Sequence, residues 1–365
     1  MSISPPIANP VANDHRTRGQ WRAQPDACAR ATGLSVAGVL AEASRLTRPR
    51  IALMVLATVF TAMWLTAGRT IDGPQLAWLL LGTGLVAASS SIANQILERD
   101  TDRLMPRTAG RPIAAGRMTP AAAALVACLL LVLGEGIVTA AAGWPPAVAA
   151  LATWLVYVAI YTPLKKMSPL NTAVGAVAGA LPVAIGWLAA EGPRRLAAGD
   201  AAGTLAVGAL ATVLYLWQFP HFMAIAWIYR EQYARAGLRM LTVDDPTGLR
   251  AAGQALAASL AMVPVSLVLA VPSASVPLFL AAAFASMIYV AATVWFALRR
   301  DDASARTLLM VSLGSLLALL TASVACGPPT AVSPLTAVAS PPSLAADFSD
   351  FSAESSLPPT NTLQP

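Results

Sequence analysis

Nine long apolar segments constrain what this chain can fold into. Only 12% of its 365 residues are charged and 56% are apolar, whereas a soluble globular domain carries about 25% charged residues. Each segment is close to the roughly 20 residues with which a helix crosses the hydrocarbon core of a bilayer. The segments cover residues 51–67, 75–93, 121–142, 146–163, 169–190, 204–228, 252–271, 275–298 and 307–325. The sequence therefore predicts an all-α, polytopic membrane protein with nine transmembrane helices.

The distribution of basic residues predicts the orientation of these helices. If the loops alternate between the two sides of the membrane, 21 of the 24 Lys and Arg residues lie on one side, and the other side holds only Arg69, Arg194 and Arg195. An excess of positive charge marks the cytoplasmic side. We therefore expect a cytoplasmic N-terminus, an outside C-terminus and a place in the cell (inner) membrane. Topology explains the basic excess, so no nucleic-acid partner is predicted.

Composition divides the chain into three parts. Residues 1–40 lack the apolar core of a signal peptide and are predicted to be a disordered cytoplasmic segment, while residues 41–326 form the nine-helix domain. Residues 327–365 are rich in Pro, Ser and Thr and are predicted to be a disordered tail. The three cysteines stand far apart in the sequence, so no redox pair or disulfide framework is indicated.

The polar segment after the second apolar stretch carries the strongest functional signal. Asn94, Glu98 and Asp102 recur every four residues, so on a continuing helix they share one face. Carboxylate and amide oxygens suit a hard cation such as Mg²⁺, and arginines suit phosphate oxygens. The arginines of this segment follow at four-residue steps: Arg99, Arg103, Arg107 and Arg111. A solvated loop that only sets topology would account for the arginines but not for acids on one face. The segment therefore predicts a metal-bridged diphosphate site where a helix meets water.

A second polar segment lies at the corresponding end of the sixth apolar stretch. Gln218 and His221 share a helix face inside an apolar span, and strongly polar groups in membrane helices usually face a functional interior. Simpler roles remain open: His221 could only bond a neighbouring helix, Tyr229 could belong to an interfacial aromatic belt, and Glu231 could only pair with Arg235. Because both polar segments lie on the same side, we expect them to face one central cavity open to the cytoplasmic face.

A third polar segment lies between these two, in the loop after the fourth apolar stretch. Lys165 and Lys166 add positive charge on the same side of the membrane. They could bind diphosphate or only fix the topology, and the sequence does not separate these roles. Gly175 and Gly179 follow in the fifth apolar stretch, and small residues at this spacing predict close packing of helices.

These residues resemble the UbiA-type intramembrane prenyltransferases over roughly residues 45–325. That superfamily carries Asn-x-x-x-Asp-x-x-x-Asp after its second helix and Asp-x-x-x-Asp after its sixth. Here the first motif reads Asn94-x-x-x-Glu98-x-x-x-Asp102, and Tyr229 and Tyr233 stand where most members have the two aspartates of the second. This departure is similar to the heme O synthase branch. The chain resembles that branch also in Arg107-Thr-x-x-Arg-Pro112, Tyr161-Thr-Pro-Leu-Lys165, Trp217-Gln-x-Pro-His-Phe222 and Ala236-Gly-x-x-Met-Leu241.

The resemblance implies Mg²⁺-dependent transfer of a farnesyl group from farnesyl diphosphate to a vinyl group of heme b, giving heme O. It implies that Asn94, Glu98 and Asp102 are the catalytic metal ligands, with Asp100 in support. The implied diphosphate-binding residues are Arg103, Arg107, Arg111 and Lys165. The implied acceptor-binding residues are Gln218, His221, Tyr229, Arg230 and Glu231. Members often have Asp where this chain has Gln232, so the number of metal ions stays open. The implied partners are membrane lipid, heme A synthase and oxidase assembly proteins.

Two other functions fit part of the pattern. A related prenyltransferase could act on a quinone precursor or on another aromatic or chlorin acceptor, although the missing second aspartate pair argues against it. A transporter could also have nine apolar helices, but it should carry its polar groups near the middle of the bilayer. In this chain the polar groups cluster at one end of the helices, which favours the prenyltransferase.

Overall fold

The computed structural model describes residues 36–326, and most of the predicted N-terminal segment and the whole C-terminal tail lie outside these residues. A helix already begins at Val36, so the end of the segment predicted to be disordered is helical. The described residues up to Glu42 belong to a different compact unit from those that follow.

All regular structure within residues 36–326 is helical. In chain order the helices are α1 (Val36–Thr47), α2 (Pro49–Ala67), α3 (Gly73–Arg103), α4 (Pro120–Ala142), α5 (Trp144–Leu155), α6 (Thr162–Leu164), α7 (Asn171–Ala180), α8 (Pro182–Ala189), α9 (Gly192–Ala197), α10 (Ala201–Ile228), α11 (Arg230–Arg235), α12 (Leu241–Asp244), α13 (Leu249–Val268), α14 (Val276–Arg299) and α15 (Asp302–Ala325). A 3₁₀ turn, Gly68–Thr70, follows α2, and a π-helical stretch, Val156–Tyr161, joins α5 to α6.

Nine spans in the described part of the chain are long and apolar enough to cross a membrane. They are Pro49–Thr70, Gly73–Arg103, Pro120–Ala142, Trp144–Leu164, Asn171–Ala189, Ala201–Ile228, Leu249–Val268, Val276–Arg299 and Asp302–Ala325. The predicted fold class and number of spans are therefore confirmed. The largest difference is in the second span, which continues to Arg103. The first polar motif consequently lies on the last turns of α3 itself.

Local sequence signals set where several spans begin. The Asp72 side chain accepts a hydrogen bond from the Gln75 backbone N–H at 3.0 Å, and Pro74 follows at the start of α3. Asp301 and Ser304 form a reciprocal capping box at the start of α15. Such caps satisfy the otherwise unpaired N–H groups at a helix start, and proline fits there because its missing N–H is not needed.

Close backbone contact joins α3 and α4. A Cβ atom on Gly134 would lie 2.8 Å from the Gly82 carbonyl oxygen, and a Cβ atom on Gly82 would lie 2.9 Å from the Gly134 carbonyl oxygen. Only glycine lets the two helices approach this closely, as is common between membrane helices. Two residues further on, a Cβ atom on Gly136 would have no neighbouring atom within 4 Å among the described residues. The α3–α4 pair thus has a close backbone contact at Gly82 and Gly134, and Ser89 Oγ adds a hydrogen bond to the Ala127 carbonyl oxygen at 2.7 Å.

The π-helical stretch Val156–Tyr161 shapes the wall opposite α3. Thr162 Oγ1 donates to the Tyr157 carbonyl oxygen at 2.8 Å, and Thr162 Oγ1 itself accepts a hydrogen bond from Asn94 Nδ2 at 3.0 Å. Single π turns inside helices occur frequently at functional sites because they rotate the following side chains. Here the turn brings Thr162 against the first residue of the polar motif.

The two glycines of the fifth span pack as predicted. A Cβ atom on Gly175 would lie 2.7 Å from the Tyr161 ring, and one on Gly179 would overlap the amide group of Gln218. Their small size lets α7 approach both the fourth span and α10. Because Gly175 and Gly179 also line the central cavity, this packing sets the width of the cavity.

Candidate active site

A central cavity of about 730 Å³ lies among the spans, as the sequence analysis predicted. Specific ligand sites commonly enclose about 300–1,000 Å³. Apolar side chains such as Val86, Ile185 and Leu214 line its walls. Its ionisable lining residues are Arg48, Arg50, Glu98, Asp102, Arg107, Arg111, Tyr157, Tyr161, Lys165, His221 and Tyr233. The cavity therefore suits a ligand with a long apolar body and an anionic end. That it opens to the cytoplasm stays a prediction.

The three residues of the first polar motif lie together on one face of α3, and all three are buried. Asn94 Nδ2 donates to Thr162, which leaves Asn94 Oδ1 without a partner in the described part of the chain. One oxygen of Asp102 pairs with the Arg111 guanidinium, and its Oδ1 atom is also buried without a described partner. Buried oxygens without partners are rare in folded proteins because they lose hydration without compensation. A bound ligand would complete the bonding of these two oxygens.

Glu98 is held by two cations from different parts of the chain. Lys165 Nζ lies 2.7 Å from Glu98 Oε1, and Arg111 Nη1 lies 3.6 Å from Glu98 Oε2. The Lys165 ammonium also lies 4.3 Å from the centre of the Tyr161 ring. Burial alone would lower the pKa of Lys165, but Tyr161 and the Glu98 carboxylate outweigh burial and raise that pKa above its ordinary value. Lys165 is therefore fully charged.

Arg111 bridges the two acids from the opposite side. Burial and the neighbouring Arg48 lower the pKa of Arg111, and the attraction of Asp102 and Glu98 only partly offsets them. A guanidinium nevertheless stays protonated in proteins. Two acids thus meet three cations here (Arg48, Arg111 and Lys165), and the surplus positive charge favours an anionic ligand.

The motif residues fit a divalent cation of the magnesium type. Asn94 Oδ1 and Asp102 Oδ1 offer two hard oxygen donors that have no partner among residues 36–326, and Glu98 adds a carboxylate. No cluster of three or more His, Cys, Asp or Glu side chains suited to a metal occurs among residues 36–326. Mg²⁺ is commonly held by one or two carboxylates together with substrate phosphates and water. The donor set therefore fits an ion that is completed by a bound diphosphate.

The predicted diphosphate-binding residues divide into two groups. Arg107, Arg111 and Lys165 line the cavity. Arg103 is instead 55% exposed, with Nε donating to the Ala114 carbonyl oxygen at 3.0 Å and Nη1 at 3.5 Å from Asp100. Because consecutive helical residues are rotated by about 100°, Arg103 turns away when Asp102 faces the cavity. Asp100 is exposed as well, so the structure gives neither residue a contact with the cavity.

The predicted acceptor-binding residues divide in the same way. Gln218 and His221 line the cavity, while Tyr229 lies under Arg107, with 4.6 Å between its ring centre and the guanidinium carbon. Arg230 donates to Asp302 at 2.8 Å and to the Trp227 carbonyl oxygen at 2.7 Å, and Glu231 is exposed. The structure thus directs Arg230 and Glu231 away from the cavity.

The cavity residues to which the sequence analysis gave no role in the site include Arg48 and Tyr233. Arg48, just before α2, adopts a left-handed backbone with φ 51° and carries a buried Nη2 atom with no partner in the described chain. In the sequence analysis Arg48 was only one of the basic residues that indicate the cytoplasmic side. Its position directly before Pro49 could have indicated that it lies at the start of a helix, next to the site. Tyr233 lines the cavity with its hydroxyl group 3.4 Å from Arg107. The sequence analysis noted Tyr233 only as standing where most family members have an aspartate of the second motif.

Comparison with known proteins extends these observations. The sequence matches the UbiA prenyltransferase family over residues 55–317. It is 44% identical to the protoheme IX farnesyltransferase of Rhodopirellula baltica over 62% of this chain and 76% of that protein. It is 36% identical to that of Solibacter usitatus over 73% of this chain and 92% of that protein. A mitochondrial protoheme IX farnesyltransferase of Arabidopsis thaliana is 36% identical over 61% of this chain and half of that protein.

Solved structures share the fold at much lower identity. A structure of digeranylgeranylglyceryl phosphate synthase superposes with a TM-score of 0.64 at 14% identity, covering 78% of this chain and 97% of that one. A UbiA homolog from Archaeoglobus fulgidus bound to GPP and Mg²⁺ gives a TM-score of 0.55 at 17% identity, covering 78% and 99%. The chain therefore belongs to the UbiA prenyltransferase family and is related within it to the protoheme IX farnesyltransferases.

Proposed function

We propose that this membrane protein transfers the farnesyl group of farnesyl diphosphate to a vinyl group of heme b, in a Mg²⁺-dependent reaction that gives heme O. The observation that carries the proposal is the arrangement around the first motif. Asp102 lines the cavity together with Arg107, Arg111 and Lys165. Asp102 Oδ1, and Asn94 Oδ1 two turns earlier on the same face of α3, are buried without a partner among residues 36–326. The names of the relatives, protoheme IX farnesyltransferase, support the choice of donor and acceptor.

The charged end of the cavity would bind the diphosphate. Arg111 and Lys165 are at present paired with Asp102 and Glu98, and a diphosphate would give these cations a second partner. Asn94, Glu98 and Asp102 would hold the magnesium ion. When bound, Mg²⁺ neutralises the negative charge that develops on the leaving diphosphate. The Archaeoglobus fulgidus homolog was solved with a prenyl diphosphate, GPP, together with Mg²⁺, which supports this arrangement.

The reaction moves one electron pair at a time. The bond between farnesyl C1 and the diphosphate oxygen breaks, and its electron pair leaves with the diphosphate, where Arg111 and Lys165 stabilise the charge. The vinyl group of heme b supplies the electron pair of the new bond to C1. Water then adds to the cation next to the porphyrin ring and one proton leaves. The product thus gains one farnesyl group and one hydroxyl group. The apolar cavity walls keep water from the allylic cation before the vinyl group attacks it.

The acceptor would lie against α10. Trp217, Gln218, His221 and Phe222 line this side of the cavity, and the His221 ring stacks on Trp217 with 4.6 Å between ring centres. Gln218 is held by its amide group, which donates to the Ala176 carbonyl oxygen at 3.0 Å. A flat aromatic wall suits a porphyrin. His221 would contact heme as axial ligand of the iron or as partner of a propionate.

The proposed reaction also carries the cellular expectations. The protein would lie in the cell (inner) membrane with its N-terminus in the cytoplasm, because 21 of its 24 basic residues would then face the cytoplasm. Farnesyl diphosphate, heme b and membrane lipid would be its immediate partners. Heme A synthase or oxidase assembly proteins would take up the product.

The test uses the full-length protein in detergent with Mg²⁺, farnesyl diphosphate and heme b, and reads the mass of the pigment by chromatography and mass spectrometry. We expect a heme that has gained one farnesyl group and one hydroxyl group, and no such product after chelation of the metal. Parallel reactions offer 4-hydroxybenzoate in place of heme. Unmodified heme together with prenylated 4-hydroxybenzoate would refute the heme acceptor and favour a prenyltransferase of aromatic or quinone precursors. Turnover that survives chelation would refute the Mg²⁺ dependence.

A further inference from the structure

The ring of His221 is bound at one nitrogen only. Its Nδ1 atom lies 2.7 Å from Ser312 Oγ on α15, and its face stacks on Trp217 with an angle of 23° between the rings. Among residues 36–326, no hydrogen-bond partner faces Nε2, and His221 lines the cavity. The free nitrogen is therefore the one available to a ligand.

The proton of Ser312 decides which nitrogen of His221 carries hydrogen. Ser312 Oγ also lies 2.7 Å from the Leu309 carbonyl oxygen. A carbonyl oxygen only accepts, so this contact uses the single hydroxyl proton of Ser312, and Oγ then accepts from an Nδ1–H group of His221. If Ser312 donated to His221 instead, the contact with Leu309 would contain no proton. The first arrangement makes two hydrogen bonds and the second makes one, and a buried, apolar setting favours the arrangement with more bonds.

Ser312 itself is held rigidly. Its side chain is fully buried, and its carbonyl oxygen accepts from Trp217 Nε1 at 2.7 Å and from Ser315 Oγ at 3.0 Å. The hydroxyl group of Tyr289 in turn donates to the Trp217 carbonyl oxygen at 2.7 Å. Three spans, α10, α14 and α15, thus meet at this point, so the hydroxyl group stays opposite the imidazole.

We infer that Ser312 is a positioning residue that holds His221 as its Nδ1–H tautomer and so presents the lone pair of Nε2 to the cavity. The inference rests on the proposed function for its ligand, heme. An Nε2 atom without hydrogen cannot donate to a propionate, but it can bind iron. Histidines that bind metals usually donate their other N–H group to a protein acceptor, which fixes tautomer and ring orientation. Ser312 has this role here, and it selects the axial ligand over the propionate partner for His221.

The tautomer can be measured without heme. The chain contains only two histidines, so ¹⁵N-histidine labelling of the full-length protein gives two sets of ring signals, and His221→Ala identifies those of His221. We expect a neutral ring with hydrogen on Nδ1, and a shift toward hydrogen on Nε2 in Ser312→Ala. Hydrogen on Nε2 in the unmodified protein would overturn the inference.

Ser323 provides the matched control. It is fully buried on the same helix, and its hydroxyl group donates to the Leu319 carbonyl oxygen at 2.8 Å. No bond to a histidine is among its contacts in the described chain. Ser323→Ala should therefore leave the His221 signals unchanged, and identical signals in Ser312→Ala and Ser323→Ala would refute the role of Ser312. If Ser312→Ala does not fold, Ser312→Thr and Ser312→Val replace it, because they have nearly the same volume and only the first keeps a hydroxyl group.

Titration with ferric heme b then tests the consequence. Loss of such an outer partner typically weakens metal binding about 10- to 100-fold, so Ser312→Ala should bind heme at least about tenfold more weakly and lose the optical spectrum of histidine-bound iron. Ser312→Thr and Ser323→Ala should keep the heme affinity and the optical spectrum of the unmodified protein. The KM for farnesyl diphosphate should stay unchanged in Ser312→Ala, Ser312→Thr and Ser323→Ala. Equal heme binding in Ser312→Ala and Ser323→Ala would overturn the inference but leave the proposed function intact. If the unmodified protein binds no heme, the proposed acceptor fails, whereas the NMR result still decides the tautomer.

Discussion

The ion pair between Glu98 and Lys165 should stabilise the fold far more than a surface pair at the same distance. The two side chains are 9% and 12% exposed, and 2.7 Å separate Oε1 from Nζ. Removing one member of a buried pair typically costs about 3–5 kcal/mol, because the remaining charge loses its partner but stays out of water. In Lys165→Met, Arg111 still lies 3.6 Å from Glu98. We therefore expect the lower end of that range, about 3 kcal/mol of the free energy of unfolding.

A double-mutant cycle separates the coupling between these charges from their other contacts. Glu98→Gln, Lys165→Met and the double variant are unfolded in detergent by a denaturant titration. We expect a coupling free energy of at least about 1.5 kcal/mol, since contacting residues in one network usually couple by about 0.5–3 kcal/mol. In the double variant both charges are removed, so it should be more stable than Lys165→Met alone.

The chain contains a matched surface pair. Glu191 Oε1 and Arg194 Nη1 also lie 2.7 Å apart, but their side chains are 63% and 81% exposed. Exposed pairs typically couple by about 0.2–1 kcal/mol, so the cycle with Glu191→Gln and Arg194→Met should give about 0.5 kcal/mol or less. Equal coupling free energies for the buried and the exposed pair would refute the reasoning, because the strength of an ion pair would then depend on its distance and not on its burial.

Three further predictions concern the charged pair, the first polar motif and the contact between α3 and α4. The pKa of Lys165 is raised in the folded protein. The stabilisation of the fold by this charge is therefore fully present below the unfolded-state pKa of about 10.4, and it is lost only as the pH rises through the higher pKa of the folded state. The coupling free energy between Glu98 and Lys165 should accordingly be equal at about pH 6 and about pH 9. Asp102→Asn should lower turnover at least about 100-fold by the pigment assay, while the exposed Asp100→Asn keeps it. Gly134→Ala should cost about 1–3 kcal/mol of unfolding free energy through overpacking against α3, whereas Gly136→Ala, which has open space, should not; equal stabilities would contradict the close contact.

Much of the fold could be predicted because membrane helices follow local rules. An apolar stretch of about 20 residues has to become a helix in a bilayer, since every backbone N–H and C=O group needs an internal partner there. The nine spans were therefore predictable within a few residues, apart from the longer α3. Polar residues do not mark the end of a helix by themselves, so the continuation of α3 from Asn94 to Arg103 needed its packing against α4 and the fourth span.

The site was predictable where helical spacing alone determines direction. Asn94, Glu98 and Asp102 share a face because they recur every four residues. Glu98 and Asp102 line the cavity, and Asn94 is bonded to Thr162. Arg103 looked equivalent to Arg107 from its spacing. It turns outward because α3 continues through it, whereas Arg107 lies beyond the helix end in a turn that returns to the cavity.

The sequence by itself determined the helical class, the number of spans and the chemistry of the first motif, because composition and a period of 3.6 residues are local properties. Only the tertiary structure decided which cation meets which acid, as in the contact between Lys165 and Glu98, and which hydroxyl group holds His221. Ser312 follows His221 by 91 residues, and no local pattern relates two positions on different helices. Their contact exists because α10 and α15 pack side by side, and that packing depends on shape complementarity along both helices.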